Sequence, residues 1–379
     1  MRVLFWLPFL LLCLGCLWDR DTLTDDARGR MGVAKVIVGW FDRNPDRYYE
    51  LRLERVLGEL ENSPEGLELY DDAAVALDRL HRSEKAIALM KRKAQVMRSF
   101  DPVKHKKLLW EHKYRYLANL GTFHVHHWLG LLPGARAGQL HHLQKAEELI
   151  SAAIDHNPDA HWGREVYQLK VIQALLVRNT SKKNAEEIAP WSDLIEMEGQ
   201  QAQWEAKKAV EGYSGMIKLG SAWRSIDMFN NLRIALSVER RSSLAYAAEL
   251  RMRELKGYGA KSEFLDEEQN WRRFAYRPED DDKEYTEAWF QKARAAADER
   301  HEARLEYMEA RFARGLHPDT DSEFWDDWEE PDFTRPKQSR FFTTKRIALG
   351  TLVISVGWLV AIGVRRGVKK WRLKDQGMS

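Results

Sequence analysis

Residues 67–97 read LELYDDAAVALDRLHRSEKAIALMKRKAQVM. The break Ser63-Pro64-Glu65-Gly66 isolates the start of this stretch. From Leu67 onward, Tyr70, Ala74 and Leu77 recur at helical spacing. The turn Leu80-His81-Arg82-Ser83 follows, and then Ala86, Ile87 and Met90. Two short helices cross closely only where a small side chain sits opposite a bulky one, so this pattern predicts an antiparallel helix pair. No such pair buries its apolar face alone, and neighbouring pairs must stack on it.

Counted from Leu67, Tyr70 falls at position 4, Ala74 at 8, Leu77 at 11, Ala86 and Ile87 at 20 and 21, and Met90 at 24. The stretch thus resembles one unit of the tetratricopeptide-repeat (TPR) family, a 34-residue helix pair. A second match is Lys145 to Pro158, with Ala146, Ile150, Ala153 and Pro158 at positions 20, 24, 27 and 32. A third is 226–259, with Phe229, Leu232, Leu236 and Ala245 at 4, 7, 11 and 20. Lys93 departs from the pattern, standing where position 27 is usually small. Ala86 and Ala146 are 60 residues apart, so about 26 residues beyond one period are inserted between them. Ala146 and Ala245 are 99 apart, close to three periods, with two degenerate units between. The resemblance covers roughly 63–259 and implies an all-α, TPR-like but irregular helical-repeat solenoid.

The same resemblance implies a non-enzymatic scaffold that presents a groove to a peptide or helix. In the family the inner wall is lined by first-helix positions 2, 5, 9, 12 and 13. Here these are Glu68, Asp71, Val75, Asp78 and Arg79 in one unit, and Asp227, Asn230, Ile234, Ser237 and Val238 in another. Members that grip an acidic carboxyl-terminal peptide use Lys, Arg and Asn at these places. This chain carries carboxylates instead, and like charge would repel an acidic ligand, so the expected partner segment is basic or mixed with apolar anchors.

The chain has 379 residues, enough for two or three domains or for one long solenoid with attachments. An apolar fraction of 44% supports a core, and 31% charge is typical of a helix-rich body. A net charge of +2 lacks the basic surplus of a nucleic-acid binder. Its two cysteines, Cys13 and Cys16, lie in the first sixteen residues. That excludes a disulfide framework, a cysteine-ligated zinc site, an iron–sulfur cluster and a covalently attached haem.

Both ends of the chain carry apolar runs. Arg2 precedes the run Val3 to Cys16, which suits a signal peptide over 1–15. Leu12-Cys13-Leu14-Gly15-Cys16 resembles the lipobox of bacterial lipoproteins, which implies acylation of the Cys16 thiol. Residues 16–62 form an amino-terminal helical segment, with two helices predicted on either side of Asn44-Pro45. Helical repeats extend over 63–260 and a charged helical segment over 261–318, which either caps the solenoid or stands as a stalk. Residues 319–346 run from acidic to basic, and their acidic part, Asp319 to Asp332, suits an exposed linker. Ile347 to Val364, IALGTLVISVGWLVAIGV, is uncharged over 18 residues and predicts a transmembrane helix. Phe341, Phe342 and Trp371 flank it, and a basic tail covers 365–379. With the signal at the start, the body lies outside the cytoplasm, in the periplasm, and the tail inside. Gly357 and Ala361 form a small-xxx-small pair that would let two such helices approach as a homodimer.

Nine of twelve histidines lie between His105 and His161. A metal site needs three or four imidazoles or carboxylates converging on one ion, and no spacing here has a known mechanism. An alternative function, metal or haem handling, would rest on this insertion at 105–161. No GxSxG, GxxxxGK[ST] or GxGxxG motif is present, and no strand pattern exists to support one. No cofactor is implied. Among the fifteen tryptophans, Trp110, Trp162, Trp223 and Trp271 are candidate wedges between helices.

Overall fold

The structure, a computed structural model, describes residues 17–18, 20, 32–158, 160–181, 189–219, 222–264 and 280–333, and every regular element among them is helical. In chain order these are α1 (Val33–Val38), α2 (Asp46–Asn62), α3 (Leu67–Arg79), α4 (Ser83–Ser99), α5 (Lys106–Gly130) and the single turn α6 (Pro133–Arg136). There follow α7 (His141–His156), α8 (Arg164–Thr180), the short α9 (Ser192–Glu196), α10 (Gly199–Leu219), α11 (Ile226–Val238), α12 (Ser242–Gly257) and α13 (Asp280–Phe312). The described residues all belong to one compact unit, Met1–Thr334.

The long helices pack on their neighbours in series. α2 lies on α3, α3 on α4, α4 on α5, α5 on α7, α7 on α8, α8 on α10, α10 on α11, α11 on α12 and α12 on α13. Such serial contact is the behaviour expected of stacked helix pairs. The two pairs singled out in the sequence turn in the same way. At the first turn His81 adopts φ 59°, its N–H donates to Asp78 O at 2.9 Å, and Arg82 N donates to Leu77 O at 2.8 Å. At the second Arg240 adopts φ 61°, its N–H donates to Ser237 O at 3.0 Å, and Arg241 N donates to Leu236 O at 2.8 Å. Both are left-handed helix stops that turn the chain back within three residues.

The stretch read as two degenerate units carries the long helices α8 and α10 and the short α9, and glycine explains how the two long ones fit. A Cβ at Gly212 would collide with Tyr167, and one at Gly215 with Arg164, so α10 approaches α8 through two bare backbone positions. Between α5 and α7 the chain carries α6 and a 3-10 turn at 137–139. Trp128 Nε1 donates to Arg136 O at 3.0 Å, and the Arg136 guanidinium pairs with Glu263 at 2.6 Å, which ties the turn down.

α1 packs against α10, α12 and α13, and Val36, Ile37 and Val38 are almost wholly buried. Trp223 is a wedge as expected, sitting edge-on to both Phe41 and Phe229. Trp110 is not, since it is about half exposed (47%) and lies against His156. The side chains of Trp162 and Trp271 lie outside the described residues.

In the carboxyl-terminal third one open alternative is decided and one expectation is corrected. α13 is no free stalk, because Trp289, Phe290, Ala293 and Ala297 join the main core. Nor are residues 319–332 an exposed linker. Phe324 is fully buried with Tyr48, Met308 and Phe312. Arg300 pairs with Glu330 and Asp42, Arg311 with Asp327, and the Arg304 guanidinium lies 3.9 Å over Trp325. The acidic run thus finds its counter-charges on one face of α13, and its aromatics find an apolar seat. Among the described residues no helix is long and apolar enough to cross a membrane. The signal at 1–15, Cys16, the run at 347–364 and the tail at 365–379 lie outside those residues.

Candidate functional site

Six of the ten residues expected on an open partner-binding wall are buried: Asp71, Val75, Asp78, Asp227, Asn230 and Ile234. Each polar one among them is consumed inside the protein. Both oxygens of Asp71 accept from Lys93 Nζ at 2.6 Å. Asp78 accepts from Ser83 Oγ at 2.7 Å and lies 2.6 Å from His126 Nδ1. Asp227 accepts from Ser262 Oγ and from Glu263 N, and Asn230 Oδ1 accepts from Arg233. Arg79 donates to Leu219 O. Glu68 alone is mostly exposed, and the hydrogen bond from His112 lowers its carboxyl pKa to about 2. These side chains cannot form an open wall, because a buried carboxylate must be paired or bonded and those pairings take up its lone pairs.

Beside Asp71, between α3 and α5, the body holds a short segment of its own chain. Leu17 is 1% exposed. Asn119, fully buried on α5, grips Trp18 by its main chain: Oδ1 accepts from Trp18 N at 2.7 Å, and Nδ2 donates to Trp18 O at 3.0 Å. The Trp18 ring stands edge-on to Tyr114 at 5.3 Å, and the Arg115 guanidinium lies 5.8 Å from it. Asp72 on α3 holds Arg20 twice, accepting from its N–H at 3.1 Å and from Nε at 2.9 Å.

A second layer orients these grips. Asn119 Nδ2 also donates to Asp71 Oδ1 at 3.3 Å, so the Lys93–Asp71 pair sets the amide in the orientation that meets Trp18. His112 adds a contact at 3.5 Å to the other Asp71 oxygen. Burial disfavours the charged imidazole of His112, but Asp71 and Glu68 outweigh burial and raise its pKa. Burial lowers the Lys93 pKa against the pull of Asp71. It likewise raises the Asp72 carboxyl against the pull of Arg20.

Beyond Arg20 lies Asp319, its side chain 3% exposed. Its oxygens accept from Arg52 at 2.6 and 2.8 Å and from Arg55 at 2.7 Å, and Arg20 Nη1 approaches to 3.7 Å. Burial alone would raise this carboxyl, yet the guanidiniums, Arg52 foremost, hold it at about 2. Arg20 therefore links the segment at 17–20 to α3 on one side and to the carboxyl-terminal segment on the other. None of Trp18, Arg20, Asp72, Asn119 and Asp319 stood out in the sequence. The available signals were an Asn inside an apolar helical run and a second Asp beside Asp71. Neither says which distant residue each would meet.

The histidines of the insertion are divided among separate tasks. His112 and His126 join the carboxylates above, and His156 Nε2 lies 2.8 Å from Trp110 O. His124, His127, His141 and His142 gather between α5 and α7, with His124 Nδ1 2.8 Å from His142 Nδ1. Burial, with neighbouring imidazoles and Lys91, lowers the pKa of His124 to about 3 and that of His142 to about 4. Among the described residues no group of three or more His, Cys, Asp or Glu is placed to hold a metal ion. The side chain of His161 lies outside those residues.

No protein-family model, curated protein or solved structure gives a significant match to this chain.

Proposed function

We propose that this protein is a non-enzymatic, membrane-tethered helical-repeat scaffold that docks other proteins in the cell envelope. The reading rests on one observation above all: the body already holds a short piece of polypeptide, gripping main chain, ring and cation in a groove between α3 and α5. Asn119 supplies contacts that any sequence can make, while Asp72 and Tyr114 discriminate by charge and shape. The serial packing and the matching turns at His81 and Arg240 support TPR-like units as the scaffold. The lipobox at Cys16 and the run Ile347 to Val364 would tether the body outside the cytoplasm, with residues 365–379 inside. Cross-linking of the full-length protein in intact envelopes, followed by purification through a tag at Ser379, tests this. Discrete adducts with one or a few polypeptides are expected. A profile indistinguishable from that of an unrelated tagged membrane protein would remove the reading.

A further inference from the structure

We infer that the groove between α3 and α5 is a recognition site for an apolar–Trp–x–Arg segment of a partner protein, and that Leu17 to Arg20 is a built-in competitor for it. The inference rests on the scaffold reading and names the chemistry of its ligand.

The observations that carry it are the nature of the grips and the consequence of leaving them empty. Leu17 is buried, Trp18 is read by Tyr114 and Arg115, and Arg20 lies between Asp72 and Asp319. Every grip comes from the helices of the body or the segment after α13, while every gripped group lies between Leu17 and Arg20, ahead of α1 in the chain. With that segment gone, the amide of Asn119 and the carboxylate of Asp72 would lose the bonds they make to it. Opening the space to water would also expose the apolar seat of Leu17 and the ring of Tyr114, which is unfavourable. A vacated groove is therefore driven to take another segment of the same chemistry. Asp72 sets the sign of the ligand: a cation two residues after the tryptophan satisfies it, as Arg20 does through Nε at 2.9 Å, and an anion there would be repelled, whereas Asp319 is already held by Arg52 and Arg55. The internal segment competes at the high effective concentration that a short covalent connection provides. External ligands therefore bind weakly to the resting protein and strongly once the segment is displaced.

The probe is a fluorescein-labelled synthetic peptide of residues 17–31, and the readout is anisotropy with the purified full chain. The variant Trp18→Ala/Arg20→Ala vacates the groove and should bind the peptide at least tenfold more tightly than wild type. Peptides carrying Trp18→Ala or Arg20→Ala should lose at least tenfold in affinity for that variant. Equal binding to wild type and variant, binding to neither, or indifference to the peptide substitutions would overturn the inference. If the variant shows no cooperative melt, wild type decides. Excess peptide should accelerate amide hydrogen exchange at Trp18 and Arg20, and unchanged exchange overturns the proposal. Copurification of two differently tagged wild-type copies, abolished by the peptide, would mean that the occupant is a second copy, and it overturns the assignment to a partner. Envelope cross-links that persist undiminished in Asp72→Lys overturn this inference while leaving the scaffold reading intact. Absence of any specific cross-link removes the scaffold reading itself.

Discussion

Lys93 shows how one residue decides the character of a site. Where the repeat pattern wants a small side chain, a lysine with no exposure is held by both oxygens of Asp71. Removing one partner of a buried pair strands the other, at a cost of about 3–5 kcal/mol. Lys93→Met is therefore expected to lower unfolding stability by about that much, and Lys93→Met/Asp71→Leu by clearly less, in urea titrations. Equal losses in the two proteins would show that the pair is not the origin of the effect. Asp227 offers a test by pH. Its burial beneath Ser262 and Glu263 raises its carboxyl pKa to about 6, above the ordinary 3.8. The folded state then binds a proton that the unfolded state has released, so the stability attributable to Asp227 is full below pH 4 and lost as pH rises through about 6. The gap corresponds to about 3 kcal/mol at most. Asp227→Asn should abolish this share, so that the stability difference between variant and wild type shifts in the variant's favour from pH 4 to pH 7. A difference that is flat with pH would refute the assignment.

At the level of the element, the two helix pairs are closed by the same left-handed turn, yet neither uses glycine there. His81 and Arg240 hold φ near +60°, a conformation that costs a non-glycine residue about 1 kcal/mol or more. His81→Gly and Arg240→Gly should each raise stability by about 0.5–1 kcal/mol, additively because the turns are separate. Thermal melts of the single and double variants check this, and a destabilised single variant would mean that its side chain holds the turn by contacts outweighing the strain. The acidic run after α13 makes a complementary point. Composition alone favoured solvation of Asp319 to Asp332, but Arg300, Arg304 and Arg311 recur on one face of α13 and meet Glu330, Trp325 and Asp327. Net local charge is a poor guide when the counter-charges stand on a neighbouring helix.

For the whole molecule, the expected arrangement is a body outside the cytoplasm, tethered near both ends of the chain. Protease added to intact spheroplasts should degrade residues 17–333 and spare a tag at Ser379, and protection of the body would reverse the topology. Cys16→Ala should abolish incorporation of a fatty-acid analogue, and unchanged labelling would eliminate the lipoprotein assignment. The docked segment gives this second test an internal reporter. Leu17 follows Cys16 directly and is buried, so a change at Cys16 that disturbs docking should accelerate amide hydrogen exchange at Trp18.

The helical class and the helix pairs at 67–97 and 226–259 were legible in the sequence, because helical period and turn residues are local properties. Local too was the signal of Asn44-Pro45, which separates α1 from α2. The groove was misread because its contents are not local. Asp71 and Asp78 read as surface carboxylates until Lys93, Ser83 and His126 are brought against them by the packing of α3 on α4 and α5. Asn119 and Trp18 stand 101 residues apart, and Arg52 and Asp319 stand 267 apart. Periodicity reports which face of a helix is apolar. Which distant carboxylate, amide or cation that face meets depends on the relative placement of whole helices, and only the tertiary structure decides that.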